Sequence, residues 1–253
     1  MKTPYTARTY RAASSRPGEI AFQTLIEESD LWISCRKSYF DAEGNLPAKV
    51  AEKLREVRSS IKGWMRLQPE FGPSLAPVAV PEHAPDIVKK MALGGERWQV
   101  GPMAAVAGAV AEEVARAFKD GSPDFLVENG GDIFMYSSGP RTVALLPYPS
   151  EGTSIGIRLG AHLFPLSVCS SSSTIGHSLS FGSGELATVI ARDAALADAA
   201  ATSLCNKLKK PSDVELVINE AQKDPDVIGV FAQCEKQMGL WGDIELLVIN
   251  GKD

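Results

Sequence analysis

Asp198 and Thr202, in an alanine-rich stretch, have the residue types and spacing of a metal-binding pair. The sequence ATVIARDAALADAAATSL passes from an apolar strand-like run into a helix that Asp193 can cap. Because residues four apart share one helical face, Asp198 and Thr202 present a carboxylate and a hydroxyl together. These are hard oxygen ligands, which suit Mg²⁺ better than zinc. An ordinary core helix with a salt-bridged Asp198 has the same spacing, so spacing alone leaves both interpretations open.

A second segment that could form part of a functional site is ENGGD at 128–132, where two adjacent glycines follow an apolar run. Gly130 and Gly131 can adopt positive φ angles, and without side chains they let a ligand touch the backbone. A plain hairpin turn has the same composition, since the flanking runs 124–127 and 133–136 are rich in strand formers. We therefore predict a hairpin whose turn either borders a binding cleft or only joins two strands.

Hydroxyl side chains are concentrated at 170–174, SSSST, shortly before Gly176 and His177. Turns in such a run can direct backbone N–H groups into a concavity that binds anions. The usual meaning of this composition is a polar surface loop, but the flanking apolar runs and the histidine favour a site. Histidine has an unperturbed pKa of about 6.5, so His177 can act as a base near neutral pH. The alternative is that His177 bonds a nearby carbonyl and fixes the loop.

The four cysteines, Cys35, Cys169, Cys205 and Cys234, lie far apart in the sequence and form no CxxC pair. This spacing excludes zinc-ribbon and thioredoxin-like sites. Without a secretory signal the expectation is buried, reduced thiols, and a catalytic Cys169 is the alternative.

Length, composition and charge narrow the class of protein. The chain has 253 residues, of which 44% are hydrophobic and 23% charged, values typical of a globular protein. A net charge of −5 disfavours a general nucleic-acid binder. No apolar run reaches the roughly 18–20 residues that cross a bilayer, and the basic N-terminus lacks the apolar core of a signal peptide. We therefore expect a cytoplasmic protein without nucleic-acid or membrane partners.

The elements that must position these residues come as strand hairpins and separate blocks of helix, which predicts an α+β fold with a mostly antiparallel sheet. A hairpin is expected at 20–40, and five prolines at 69–85 predict an extended segment. Helices are predicted at 46–68, 84–93 (ended by Gly94 and Gly95), 101–119, 193–208 and 212–223. Further strands are predicted at 142–147, 154–159, 164–168, 186–191, 226–233 and 244–249.

The distribution of apolar and small residues also predicts the domain organisation and a possible mode of self-association. The chain before 69–85 has too little apolar sequence for a core of its own, so we expect one domain over 1–253. Small side chains dominate the predicted helices 101–119 and 193–208. They would let another backbone or a large ligand approach closely, and helix 101–119 could serve a homodimer interface as readily as a cleft.

Several motifs between about residues 100 and 208 resemble those of the ApbE superfamily, the FAD:protein FMN transferases. ADAAAT places Asp198 and Thr202 at the aspartate and threonine of that family's A-D-A-x-A-T signature. Its Gly-Gly turn matches Gly130 and Gly131, followed by Asp132. GPMAAVAGAVAEEV is similar to its glycine- and alanine-rich helix start, and HSLSFGSG occupies the place of its H-I-x-D-P-x-T-G segment. The chain looks still more similar to a small ApbE-related family of no established activity, which has the run S-x-T-x-G-H-S.

The resemblance implies an ApbE-like protein that binds a flavin or nucleotide, FAD foremost, together with Mg²⁺. In that case Asp198 and Thr202 hold the Mg²⁺ beside the FAD pyrophosphate, and His177 is the catalytic base. The implied reaction cleaves FAD and transfers FMN to a hydroxyl of an acceptor protein. The implied cofactor-binding residues are Gly130, Gly131, Asp132, Ser172, Ser173 and Thr174.

Two departures from the family pattern keep other functions open. Ser180 and Phe181 stand where the transferases have Asp and Pro, and Ala107 and Ala109 stand at the lysine and tyrosine of their A-K-G-Y helix. One alternative is a ligand-binding protein that kept the fold without the chemistry. Another is a different Mg²⁺-dependent enzyme that uses the same cleft, since a fold by itself does not determine a reaction.

Overall fold

Antiparallel pairing organises the strands of this protein. A computed structural model describes residues 16–145, 153–172 and 186–250. Every strand pairing in these residues is antiparallel, so the predicted α+β class is confirmed. The strands are β1 Glu19–Ile26, β2 Ser29–Arg36, β3 Phe125–Asn129, β4 Asp132–Tyr136, β5 Arg141–Leu145, β6 Thr153–Leu159, β7 Leu166–Ser171, β8 Leu186–Ala191, β9 Val227–Cys234, β10 Gln237–Gly242 and β11 Ile244–Asn250.

The helices lie between these strands in the chain and differ in how deeply they are buried. They are α1 Lys37–Glu43, α2 Leu46–Leu67, α3 Asp86–Trp98, α4 Val106–Ala117, α5 Ala194–Lys207 and α6 Asp213–Ala221. A 3₁₀ turn at Pro102–Ala105 leads directly into α4. In α2 one face is buried at three- and four-residue steps, whereas almost every residue of α5 is buried. No helix in the described part of the chain is long and apolar enough to span a membrane.

Three layers result from the two sheets and the helices. The large sheet has the strand order β1-β2-β3-β4-β7-β8-β9-β10, and the small sheet has the order β11-β6-β5. One face of the large sheet packs on the helices in the main core, which includes Val127 and Phe134. Its other face packs on the small sheet in a second core, which includes Leu126 and Ile157. Alternation of side chains along each strand therefore supplies both cores from the same sequence.

The predicted end of a helix at Gly94 and Gly95 is wrong, because α3 continues through both glycines to Trp98. A Cβ atom on Gly94 would lie 2.9 Å from the backbone oxygen of Ala195 on α5. The glycine thus permits close packing of two helices, although glycine costs roughly 1 kcal/mol in a helix interior. The helix instead ends at Trp98, and Gln99 follows it as the C-cap with a φ of 56°.

Other boundaries differ from the prediction by smaller amounts. The hairpin expected at 20–40 is β1 and β2, joined at Glu27 with a φ of 52°, but it ends at Arg36, and the last four residues of the expected range begin α1, which was not predicted. Strand β7 extends to Ser171, so the first two serines of the hydroxyl run lie in a strand and not in a loop. Strand β10 was not predicted, and it pairs with β9 at one edge of the large sheet.

Candidate functional site

The turn between β3 and β4 has the backbone conformation that its two glycines allow. Gly130 and Gly131 have φ angles of 73° and 114°, which other residues rarely adopt. The N–H of Gly131 donates to Oε1 of Glu128 at 2.7 Å and fixes the turn. No heavy atom of the described residues would lie within 4 Å of a Cβ at either glycine. The backbone conformation, and not crowding, therefore calls for glycine, and the surface of the turn is open.

Asp132, directly after this turn, joins β4 to the end of β7. Its Oδ1 accepts a hydrogen bond of 3.0 Å from the backbone N–H of Ser170. The contact continues the ladder in which Ile133 pairs with Val168. Asp132 is also buried, so its carboxylate lies inside the protein and is held by the end of β7.

Asp198 lies on α5 opposite the beginning of α4. Its Oδ2 accepts a hydrogen bond of 2.9 Å from the backbone N–H of Gly108, in the first turn of α4. Burial raises the pKa of Asp198 well above its usual value, and the charge of Asp132 raises it further. The N–H groups of Gly108 and Ala107 oppose that rise. Asp132 and Asp198 are thus near enough for their charges to interact.

Thr202 lies one turn beyond Asp198, and both belong to the continuous helix α5. Each is 8% exposed. Helix α5 begins where the sequence predicts, because Oδ1 of Asp193 accepts the N–H of Leu196 at 2.9 Å. Small residues at the contact let α4 lie close to α5. A Cβ on Gly108 of α4 would lie only 2.3 Å from the backbone oxygen of Ala194 of α5. In the described residues, other helices therefore pack against the alanine-rich surface of α5.

Asn129 is a site residue that sequence reasoning missed. Its Nδ2 donates to the backbone oxygen of Ala107 at 3.1 Å, so the last residue of β3 contacts the first turn of α4. The feature of the sequence that could have indicated Asn129 is its position directly before the paired glycines. Asn129 and Asp198 together fix the backbone around Ala107 and Gly108 from two sides.

Cys169 lies in the same region but lacks the properties of a nucleophile. Its thiol is fully buried and lies 3.6 Å from the backbone oxygen of Ala194. Burial raises the pKa of Cys169 well above its usual value, and the nearby carboxylates of Asp132 and Asp198 add to the effect. All four cysteines are buried and outside disulfides, which agrees with the predicted reduced thiols.

Three of the predicted site residues, Ser173, Thr174 and His177, lie outside the described residues. Ser172 is described and directly follows β7. The structure therefore brings Gly130, Gly131, Asp132 and Asp198 to one end of the large sheet. The role of each toward a ligand stays a prediction.

The donor set fits the Mg²⁺ that the resemblance implies. In the described part of the chain, no group of three or more His, Cys, Asp or Glu side chains is arranged to hold a metal ion. Mg²⁺ commonly uses one or two carboxylates and completes its coordination with water and substrate phosphates. Asp198 and Asp132 would supply such carboxylates, and Thr202 would supply a hydroxyl. Burial is the main cause of the raised pKa of Asp198, and a cation would offset the smaller contribution that comes from the charge of Asp132.

Comparison with solved structures identifies the fold. The flavinyl transferase ApbE of Pseudomonas stutzeri, in its apo form, has a TM-score of 0.56 at 14% identity, over 93% of this chain and 97% of that one. The ApbE protein of Thermotoga maritima has a TM-score of 0.57 at 14% identity, over 90% and 96%. At such low identity these similarities establish the fold alone.

Sequence comparison identifies the family. The family model described as "AbpE bacteria" matches residues 12–229. A UPF0280 protein of Methanocaldococcus jannaschii is 35% identical over 235 residues, which cover 90% of this chain and 93% of that protein. A UPF0280 protein of Methanothrix thermoacetophila is 36% identical over 191 residues, which cover 75% and 80%. The chain therefore belongs to the family described as AbpE bacteria, with UPF0280 proteins among its relatives, and it has the fold of the ApbE flavin transferases.

Proposed function

We propose that this protein binds a flavin or nucleotide together with Mg²⁺ at the end of the large sheet, and that FAD is the ligand. The observation that carries the proposal is the buried Asp198 carboxylate, held at the start of α4 beside Asp132. A carboxylate with a strongly raised pKa beside a second acid is typical of a functional site. The fold of the ApbE flavin transferases supports FAD as the ligand.

Asp198 and Thr202 would hold the metal ion through their side-chain oxygens. When bound, Mg²⁺ would neutralise negative charge on the pyrophosphate. Asp132 keeps the end of β7 against β4, and the open turn at Gly130 and Gly131 offers the ligand access to the backbone. Ser172, Ser173 and Thr174 would donate hydrogen bonds to phosphate oxygens.

The proposed reaction is FMN transfer to a hydroxyl of an acceptor protein. His177, which lies outside the described residues, would take the proton of that hydroxyl. The hydroxyl oxygen then bonds to the phosphorus of the FMN half, the pyrophosphate P–O bond breaks, and AMP leaves with its electron pair.

Calorimetric titration of FAD into the protein, with and without Mg²⁺, tests the binding. Asp198→Asn keeps an oxygen that can accept from Gly108 but removes the charge that holds the cation. We expect the Mg²⁺-dependent part of FAD affinity to fall at least tenfold in this variant. Asp120→Asn, which removes an exposed aspartate, is the matched control and leaves the affinity unchanged. Equal FAD affinity in the two variants, or a wild type that does not bind FAD, contradicts the proposal.

A second candidate is a flavin- or nucleotide-binding protein without transferase activity. Ala107 and Ala109 favour it, because their methyl side chains replace the lysine and tyrosine of the resembling transferase helix. Both candidates predict Mg²⁺-dependent binding, but only the transferase releases AMP. Mass spectrometry of the reaction mixture therefore separates them, with His177→Ala expected to abolish any AMP release while FAD binding persists.

A further inference from the structure

A second cluster of charged residues lies at the opposite end of β3 from the glycine turn. Asp124 directly precedes β3, whereas Asn129 ends it, so the two regions are roughly 16 Å apart at about 3.3 Å per residue. Asp124 is buried, and its carboxylate accepts hydrogen bonds from Arg36 at 2.6 Å and from the N–H of Ser138 at 2.8 Å. This cluster takes no part in the proposed flavin site.

The cluster carries more positive than negative charge. Arg141, which is buried, donates to both carboxylate oxygens of Glu19, and Arg36 is paired with Asp124. Arg16 is the third arginine, and no carboxylate of the described residues lies within ion-pair distance of its guanidinium. Among the residues that the structure describes, its side chain makes one long hydrogen bond, of 3.4 Å, to Ser137. Three guanidinium groups thus face two carboxylates.

The surplus charge has a physical cost that an anion would remove. Burial lowers the pKa of Arg16 and the charge of Arg141 lowers it further, against the opposing effect of Glu19 and Asp124. A guanidinium in a concave, partly desolvated place is a preferred partner for carboxylate and phosphate groups, which it can bind through two parallel hydrogen bonds.

Two adjoining cavities give this charge a binding space. The first has a volume of about 390 Å³ and is lined by Arg16 and Arg36 and also by Glu19 and Asp124, whose carboxylates are already paired with Arg141 and Arg36. The second, of about 260 Å³, is lined in part by Tyr39 and Pro123. Arg36 and Ser38 line both cavities, so a polar compartment, in which Arg16 has no ion-pair partner among the described residues, adjoins a more apolar one. The first alone falls within the range of about 300–1,000 Å³ typical of small-molecule sites.

We propose that these cavities bind a small organic anion. Its carboxylate or phosphate group binds Arg16 and Arg36 in the first cavity, with a hydroxyl donor from Ser38; the hydroxyl of Ser138 already donates to Asp124. Its apolar part enters the second cavity beside Tyr39. The required ligand therefore combines one anionic head with a compact aromatic or aliphatic group.

Calorimetric titration of the full chain with phenyl phosphate, benzoate and inorganic phosphate tests the proposal. Phenyl phosphate should bind more tightly than inorganic phosphate, and comparison with benzoate identifies the preferred head group. Arg16→Gln should weaken phenyl phosphate binding at least tenfold, because it removes a charge-assisted contact. Arg55→Gln, on an exposed face of α2, removes the same charge elsewhere and should leave binding unchanged.

Two further variants test whether phenyl phosphate binds in these two cavities and not elsewhere on the protein. Ala42→Phe, at the lining of the second cavity, should abolish the advantage of phenyl phosphate over inorganic phosphate. Asp198→Asn should leave phenyl phosphate binding intact even where it abolishes FAD binding, so the two proposals fail separately. The anion site is refuted when no probe binds at millimolar concentration, when Arg16→Gln and Arg55→Gln behave alike, or when Asp198→Asn removes the binding.

Discussion

The backbone N–H of Gly108 on α4 donates to Oδ2 of Asp198 on α5 at 2.9 Å, and it joins the start of one helix to the middle of the other. In the opposite sense, Oε2 of Glu112 on α4 accepts from the backbone N–H of Ala194, the first residue of α5, at 2.7 Å. The first turn of a helix has N–H groups without partners inside the helix. Each helix here supplies a carboxylate to the first turn of the other, and this exchange sets the position of Asp198.

We expect Gly108→Ala to destabilise the protein and to weaken Mg²⁺-dependent ligand binding. The added Cβ would lie 2.3 Å from the backbone oxygen of Ala194 and 3.0 Å from the Cβ of Asp198. Relief of that clash requires α4 and α5 to separate, at a cost of about 1–3 kcal/mol in the free energy of unfolding. Urea denaturation measures this change.

The matched control for that substitution is Gly63→Ala in α2. No heavy atom of the described residues would lie within 4 Å of a Cβ there. The substitution should stabilise the protein by about 0.5–1 kcal/mol, because alanine is a better helix former than glycine. Equal effects of the two substitutions would show that α4 and α5 are not in close contact at Gly108.

Glu112→Gln should lower the free energy of unfolding by about 1–2 kcal/mol. Oε1 of Glu112 accepts from Nζ of Lys90 at 3.2 Å and from Nε of Arg116 at 2.6 Å, and Oε2 accepts from the N–H of Ala194. Glutamine has one acceptor oxygen and no charge, so the variant weakens the contacts with the two cations or leaves the N–H of Ala194 without its acceptor, and urea denaturation measures the loss. The loss is limited because Lys90 and Arg116 are partly exposed and water can solvate them. Glu113→Gln, at the next position, removes only a 3.7 Å ion pair with Lys53 and should change stability by less than about 0.5 kcal/mol.

The stabilising effect of Asp124 should depend on pH in the acid range. Burial acts to raise its pKa, but hydrogen bonds from Ser138 and Arg36 outweigh burial and lower the pKa to about 2. In the unfolded chain the pKa is about 3.9, so the folded state favours the ionised form. The contribution is therefore complete above about pH 4 and disappears as pH falls through about 2.

Urea denaturation of wild type and Asp124→Asn at several pH values checks this dependence. The stability difference between the two proteins should be largest near pH 5 and should shrink toward pH 2. Asp120→Asn, at an exposed position, should show no such trend. A difference that stays constant with pH would mean that Asp124 contributes by shape and not by charge.

The cysteines should be unreactive in the native protein. Burial raises the pKa of the Cys169 thiol, and burial likewise raises the pKa of Cys35, to about 11. Because the thiolate is the reactive form, native protein should react with a thiol reagent at neutral pH far more slowly than protein in urea. Mass spectrometry of the labelled peptides identifies the sites, and rapid native labelling at Cys169 would restore it as a candidate nucleophile.

Local patterns were sufficient to predict the elements that carry the candidate site. Asp193 marks the start of α5 because a side-chain cap is a local interaction, and Gly130 and Gly131 mark the turn because their φ angles are a local requirement. The partner of Asp198 could not be predicted in this way. Its contact with Gly108 joins residues 90 positions apart, and a spacing of four residues in α5 contains no information about α4.

The errors in the sequence predictions have a related cause. Gly94 and Gly95 have the composition of a helix end, but close packing of Gly94 on Ala195 decides their role, and that contact is distant in sequence. Asn129 was missed because its function is to bond the carbonyl of Ala107, again on another element. Interactions between elements determined each of these outcomes.

The exchange of carboxylates between α4 and α5 has a consequence for how the protein opens and folds. Neither first turn can keep its partner when the other helix detaches, so both turns should become exposed in a single cooperative event. Hydrogen exchange at the amides of Gly108 and Ala194 would then proceed at one common opening free energy. Closure of a chain segment this long is entropically costly, so α4 and α5 would dock late in folding, and the proposed metal-binding residues would come together only at that stage.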